Sequence, residues 1–195
     1  MNTHNRHKEK IILGIDPGTQ VMGYGVLMIT SSQKGKKIDL LQYGVIHLSK
    51  YKQHELKLKK IFERVLGLLD EYVPDEVALE APFYGKNVQS MLKLGRAQGV
   101  AMAAALSRQI PIVEYAPKKV KQSVTGNGNA SKEQVAHMLK NLIKFPAEPT
   151  AEQQLLDATD ALAVALCHHY QKASPVRQAK SWKAFIADNP ERIKG

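Results

Sequence analysis

The chain has 195 residues, enough to bury a sizeable core without disulfides or a structural metal. Its 28 Lys and Arg outnumber 18 Asp and Glu, and the formal charge of +10 favours a polyanionic partner such as nucleic acid. A single cysteine, Cys167, excludes an internal disulfide or a Cys-rich zinc site; no run approaches the roughly 18 apolar residues of a membrane span, and the polar start lacks a signal peptide's apolar core, so a cytoplasmic protein is expected.

Residues 1–10 are expected to form a basic, disordered extension, 11–172 a single domain and 173–195 a basic tail. The domain opens with IILGIDPGTQVMGYGV at 11–26, an apolar β-prone run that carries Asp16 at its end. A carboxylate at the end of a buried strand is costly unless something pairs with it. Pro17, Gly18, Gly23 and Gly25 supply turn geometry and remove side chains, which lets a second backbone, a phosphate or a metal-bound ligand approach. Three readings stand at this point. Asp16 holds a divalent cation, or the Asp-Pro-Gly-Thr turn cradles phosphate as in an actin-like or sugar-kinase ATPase, or the Asp side chain caps its own turn.

Strands at 11–16, 21–30 and 37–47 form an antiparallel meander. Leu58, Ile61, Phe62, Val65, Leu66 and Leu69 then mark one face of a helix over 53–71, whose other face, with Lys57, Lys59, Lys60 and Arg64, reads as solvated, a nucleic-acid contact being the alternative. Pro74 stops it, and residues 76–80 form a short strand ending in a second carboxylate, Glu80. The loop after it sets Phe83 and Tyr84 beside Lys86, side chains suited to stacking on unpaired bases, the plain alternative being a ring packed into the core. A helix over 88–108 carries a smooth stripe of Gly95, Gly99 and Ala103. Packing against the domain's own sheet is the plainer reading of it, and a second subunit the alternative.

A strand at 111–115 leads into a basic, glycine-punctuated polar segment, 116–131, where Lys118, Lys119 and Lys121 suit phosphate contact. Ser131 and Gln134 have the spacing of a capping box for a helix to about residue 143. That places Lys132 in the first turn, where the helix dipole disfavours a cation. The last core helix, 152–170, projects Asp157 and Asp160 from one face beside Ala158, Ala161, Ala163 and Ala165. The two like charges repel, and a bound cation reverses that penalty. In the tail, Trp182, Phe185 and Ile186 have the spacing of a short amphipathic helix expected to fold back on the domain, docking on a partner being the alternative.

A meander followed by alternating helix and strand gives an α/β fold with a mixed sheet flanked by helices. Strand-end carboxylates and a helix-borne pair can then converge. Four such groups raise one another's pKa values unless hard cations are present, and that is the plan of a two-metal phosphodiester hydrolase.

GIDPGTQVMGYGV at 14–26, ALEAPFYGKN at 78–87, LKLGRAQGV at 92–100, EYAPKKVKQSVTGNG at 114–128 and DATDALAVA at 157–165 together resemble the RuvC-type Holliday junction resolvases of the RNase H-like superfamily, over about 11–171. The resemblance implies a five-stranded RNase H-like nuclease domain over 11–172. It implies catalytic, metal-binding carboxylates at Asp16, Glu80, Asp157 and Asp160, with two Mg2+ per site and Mn2+ as a substitute. It implies base stacking by Phe83, beside which Tyr84 offers a second ring, and DNA contacts from Lys121 and Lys132. The implied activity is paired nicking of two like-polarity strands of a four-way junction in recombination and repair, by a homodimer that works with a branch-migration complex of the RuvA and RuvB type.

Three rivals remain. A RuvC-like family of ribosomal RNA maturation shares the first motif, but the length of this chain and its Asp-x-x-Asp helix argue against it. An ATPase needs a second phosphate loop and an adenosine pocket for which 195 residues leave no room. A non-catalytic junction-binding protein would recognise shape through its basic surface and dispense with all four carboxylates.

Overall fold

The apolar run before Asp16 becomes the central strand of a sheet. β1 (Lys8–Asp16) pairs antiparallel with β2 (Val21–Ser32), which pairs antiparallel with β3 (Gly35–His47). On its other side β1 pairs parallel with β4 (Glu76–Glu80), and β4 parallel with β5 (Ile112–Tyr115), giving the order β3-β2-β1-β4-β5. The structure, a computed structural model, describes residues 8–32, 35–82, 87–145 and 152–173. Phe83, Tyr84 and Lys86 lie outside the described residues, as do Trp182, Phe185 and Ile186.

Each parallel step requires a crossover. α1 (His54–Tyr72) makes the first and α2 (Val88–Ser107) the second, followed by α3 (Pro117–Thr125), α4 (Lys132–Leu142) and α5 (Glu152–Ala173). The period of two along the strands sorts the core into two layers. Leu13, Ile15, Val77 and Leu79 face α1 and α2, whereas Ile12, Leu27 and Ala78 face α3, α4 and α5. By the same alternation Gly14 and Asp16 of β1, and Glu80 of β4, point to the α5 side.

Glycine sets how closely α5 approaches. A Cβ on Gly14 would stand 2.1 Å from the Ala161 carbonyl oxygen, and one on Gly23 would stand 2.2 Å from that of Asp157. Of the three partners that the glycines of the first motif can admit, the structure supplies a backbone: α5 lies directly on β1 and β2. Gly14→Ala is therefore expected to destabilise the fold by at least ~1–3 kcal/mol, since the obstacle is main chain and cannot rotate away. Gly67→Ala, in α1 with nothing within 4 Å, is the control and should stabilise by ~0.5–1 kcal/mol. Urea unfolding measures both.

Three expectations are corrected. β1 begins at Lys8 rather than residue 11, because the long β2 offers ladder partners to Lys8, Glu9 and Lys10, and Lys10 forms an ion pair with Glu76. The segment 116–131, expected only as a basic polar stretch without a regular element, contains a helix. Pro117 in the first turn, Val120 and Val124 buried one turn apart, and Gly126 ending the helix at φ 77° make α3 within it. The stripe of Gly95, Gly99 and Ala103 does not meet the sheet. Both glycines have nothing within 4 Å of where a Cβ would stand and Ala103 is exposed, while Ala97, Ala101, Ala104 and Ala105 carry the buried face.

Candidate active site

β1 and β4 run parallel and side by side, Ile15 opposite Leu79, so their last residues, Asp16 and Glu80, emerge together at one end of the sheet. Over that end lies the first part of α5. The contact of Asp157's backbone on Gly23 brings the acidic turn of the helix down to the strands, with Asp157 and Asp160 side chains 32% and 15% exposed.

The four carboxylates act on one another. Burial, then Glu80 and Asp160, and more weakly Asp157, raise the Asp16 pKa well above the ordinary carboxylate range, against an opposing pull from Lys132. Burial and then Asp160 push Glu80 up to about 7, with Lys132 and Lys121 opposing. Burial also raises Asp160, again against Lys132. Such a group is stabilising while protonated and loses that contribution as pH rises through its folded pKa. The metal-free protein is thus expected to lose stability between about pH 4.5 and 7. Glu80→Gln, which cannot ionise, should match the wild type at pH 4 and exceed it by ~2 kcal/mol at pH 8, in thermal unfolding with chelator present.

Lys132 is the local counter-ion. The expected capping box is formed: Gln134 N–H donates to Ser131 Oγ at 3.3 Å, and Ser131 N–H donates to Gln134 Oε1 at 2.9 Å. It anchors the start of α4, from which Lys132 Nζ reaches Asp160 Oδ2 at 2.5 Å and Asp157 Oδ1 at 3.4 Å. Burial works against the charged amine, but the bond to Asp160 and the field of the acidic groups raise its pKa. The unfavourable dipole position is offset by two carboxylates.

Of the other expected DNA-contacting lysines, Lys121 on α3 is close enough to oppose the shifts of Glu80 and Asp160. Lys118 and Lys119 are exposed on the same helix, with Lys119 acting on Cys167 instead. Cys167 is fully buried, as expected of an inert thiol, and burial raises its pKa.

Asp16 has no hydrogen-bond donor among the described residues, which removes turn capping as its role. The turn is held from elsewhere, by Lys57 Nζ donating to the Thr19 carbonyl at 3.0 Å and to Gln20 Oε1 at 3.3 Å. A lysine on the face read as solvated thus pins the loop that follows Asp16. Two buried polar side chains are not singled out by the sequence reading, one at the site and one at the far end of β4. Gln98 of α2 is buried against the end of β4, and His168 of α5 sits 2.8 Å from Tyr115 Oη through Nδ1 and 2.5 Å from Glu76 Oε2 through Nε2. Polarity within an apolar helix face is the signal both give, and Gln98 lies besides within the LKLGRAQGV motif at 92–100.

The donor set is suited to a hard divalent cation: carboxylate oxygens, mutually repelling, two of them, on Asp16 and Glu80, without a hydrogen-bond donor among the described residues. Among the described residues no three acidic, His or Cys side chains yet close on a single point, and Lys132 partly neutralises the helix pair. The residues fit a cation in chemistry, and their carboxylates share one end of the sheet.

Comparison with known proteins identifies the family. The family described as crossover junction endodeoxyribonuclease RuvC matches residues 12–168. The RuvC crossover junction endodeoxyribonuclease of Cytophaga hutchinsonii is 61% identical over 186 residues, 95% of this chain and 89% of its own length. That of Bacteroides fragilis is 59% identical over 189 residues, 96% and 97% of the two chains. The structure of Thermus thermophilus RuvC in complex with Holliday junction substrate superposes with a TM-score of 0.72 at 31% identity, covering 84% of this chain and 94% of that one. With the mixed five-stranded sheet, the two strand-end carboxylates and the acidic turn of α5 in place, the chain belongs to the RuvC family of crossover junction endodeoxyribonucleases.

Proposed function

We propose that this protein resolves four-way DNA junctions by metal-dependent hydrolysis of one phosphodiester in each of two like-polarity strands. The observation that carries the reading is the meeting of Asp16, Glu80, Asp157 and Asp160 at one end of the sheet, on a chain related over most of its length to junction endonucleases. Those four side chains would hold the cation. The chemistry that two bound Mg2+, or Mn2+ in their place, supply is activation of water on one side of the phosphate and stabilisation of the leaving oxygen on the other.

The chain's own contribution is positional and electrostatic. Asp16 and Glu80 project from adjacent rigid strand ends, so their separation is set by the sheet rather than by a loop. Lys132 keeps Asp157 and Asp160 from repelling each other before DNA and cation arrive. Its ammonium lies beside the carboxylates, ready to meet phosphate oxygens. Lys121, one helix earlier, adds positive potential over the same spot. Lys118 and Lys119 extend the basic surface to flanking backbone, and Phe83, Tyr84 and Lys86 act at the unpaired bases of the junction centre.

Paired nicking calls for two sites related by a two-fold axis, hence a homodimer. The outward side of α2 supports this. Val88, Leu92 and Leu106 are 65%, 58% and 60% exposed, and Gly95 and Gly99 lie open between them on the same face. A cytoplasmic setting and cooperation with a branch-migration complex of the RuvA and RuvB type complete the reading, on the family resemblance. No helix among the described residues is long and apolar enough to cross a membrane.

The test is cleavage by the wild type of a synthetic four-way junction and a matched linear duplex in Mg2+. Paired nicks confined to the junction are expected. Binding without cutting, over several metals and junction sequences, would favour the non-catalytic alternative, and equal cutting of duplex would remove junction selectivity.

A further inference from the structure

Glu80 has a backbone problem that the sheet does not solve. Val77 N–H donates to the Pro111 carbonyl and Ala81 N–H to that of Tyr115, both at 2.9 Å, so the odd-numbered residues of β4 turn their backbone groups to β5. Glu80 therefore turns its carbonyl towards β1. There Ile15 is the last residue paired, opposite Leu79, and the next nitrogen in line belongs to Pro17, which carries no hydrogen. The ladder ends at the catalytic residue with an acceptor and no backbone donor.

Gln98 fills that place from α2. It is 5% exposed on the alanine face of the helix, where an amide without partners is costly. Its Nε2 donates to Glu114 Oε1 on β5 and lies 3.5 Å from the Glu80 carbonyl oxygen. The same side chain lines a cleft of about 70 Å3 together with Asp16, Pro17 and Glu80. One amide nitrogen with two hydrogens thus ties the end of β4 to the edge strand and to the helix that crosses between them.

We propose that Gln98 is a positioning residue for Glu80: by holding the Glu80 carbonyl and bracing on Glu114, it fixes the backbone from which the Glu80 carboxylate enters the site. The proposal rests on the reading of the four carboxylates as the catalytic centre. Gln98 does not touch DNA or the reacting atoms in this role, so its loss acts on the chemical step and leaves substrate affinity alone.

The test compares full-length wild type with Gln98→Met, which keeps the length and apolar body but removes both donors, and Gln98→Lys, which restores donors to the same place. Displacement of one carboxylate by a fraction of an ångström is expected to lower kcat of Gln98→Met by ~10–50-fold. Its KM, its junction binding without metal and its metal-free Tm should stay near the wild-type values, and Gln98→Lys should recover most of kcat. The rise in Tm caused by Mg2+ without DNA reads the same site independently and should be smaller in Gln98→Met. Wild-type kcat with a full Mg2+-dependent rise in Gln98→Met would overturn the proposal, as would a folded Gln98→Lys no better than Gln98→Met. Were the wild type itself to leave junctions uncut, the catalytic reading would fall, yet the Mg2+-dependent rise would still decide the role of Gln98. Equal rises in wild type and Gln98→Met would overturn it, and a reduced rise would support it.

Discussion

Asp16→Asn is expected to lower single-turnover cleavage of a four-way junction by ~10^3-fold or more, while binding to the same junction is kept or tightened. The size follows from what the residue is placed to do. A hydrolase of this kind relies on charge stabilisation worth several kcal/mol, and ~4 kcal/mol corresponds to a thousandfold in rate. Asp16 is the group on which Glu80, Asp160 and Asp157 all act, so it stands at the centre of the cluster rather than on its rim. Asn keeps the shape at the end of β1 and leaves the Lys57 anchor on Thr19 and Gln20 undisturbed. Only the charge and one strong oxygen ligand are lost. Removal of a negative charge facing DNA also eases phosphate approach, which is why affinity should not fall. Single-turnover cleavage and gel-shift titration on one junction separate the two effects. Cleavage within tenfold of wild type would remove Asp16 from the centre of the mechanism, and a parallel loss of binding would make its role structural.

Much of this arrangement was legible in the sequence because its parts obey periodic rules. The even positions of β1 and β4 share a sheet face, and residues three apart on a helix share a helix face, so spacing allows Asp16, Glu80, Asp157 and Asp160 to converge, and the resemblance to the RuvC-type motifs names them as one set. The capping box at Ser131 was equally readable, and so was the odd position of Lys132. What escaped was decided by tertiary contact. α3 was hidden because two buried valines outweigh a run of polar residues, a balance that depends on α5 lying over them. The stripe on α2 was assigned to the wrong side because alanines and glycines alternate around that helix, and either face is smooth enough to pack. Gln98 escaped for a different reason: its value lies in an absent hydrogen on Pro17, which matters only once β1 and β4 are aligned.

The second face of α2 yields the other large effect. Leu92→Glu combined with Leu106→Glu should convert the proposed homodimer to monomers at micromolar concentration and reduce bilateral resolution of a junction by at least ~10-fold. Two glutamates buried on each side of a two-fold interface cost on the order of 1–3 kcal/mol apiece even when partly hydrated, which raises the dimer dissociation constant by a hundredfold or more. The substitutions are harmless to the fold itself, since both side chains are more than half exposed and the core contacts of α2 run through Ala97, Ala101, Ala104 and Ala105. The intact monomer retains all four carboxylates, so residual activity should appear as single, uncoupled nicks rather than paired ones. Sedimentation velocity reports the mass, and a junction on a supercoiled plasmid distinguishes one nick from two. A variant that stays dimeric, or a monomer that still nicks both strands within one binding event, would place the two-fold interface elsewhere on the molecule. The helix would then keep only its inward task of closing over the sheet and reaching Glu80.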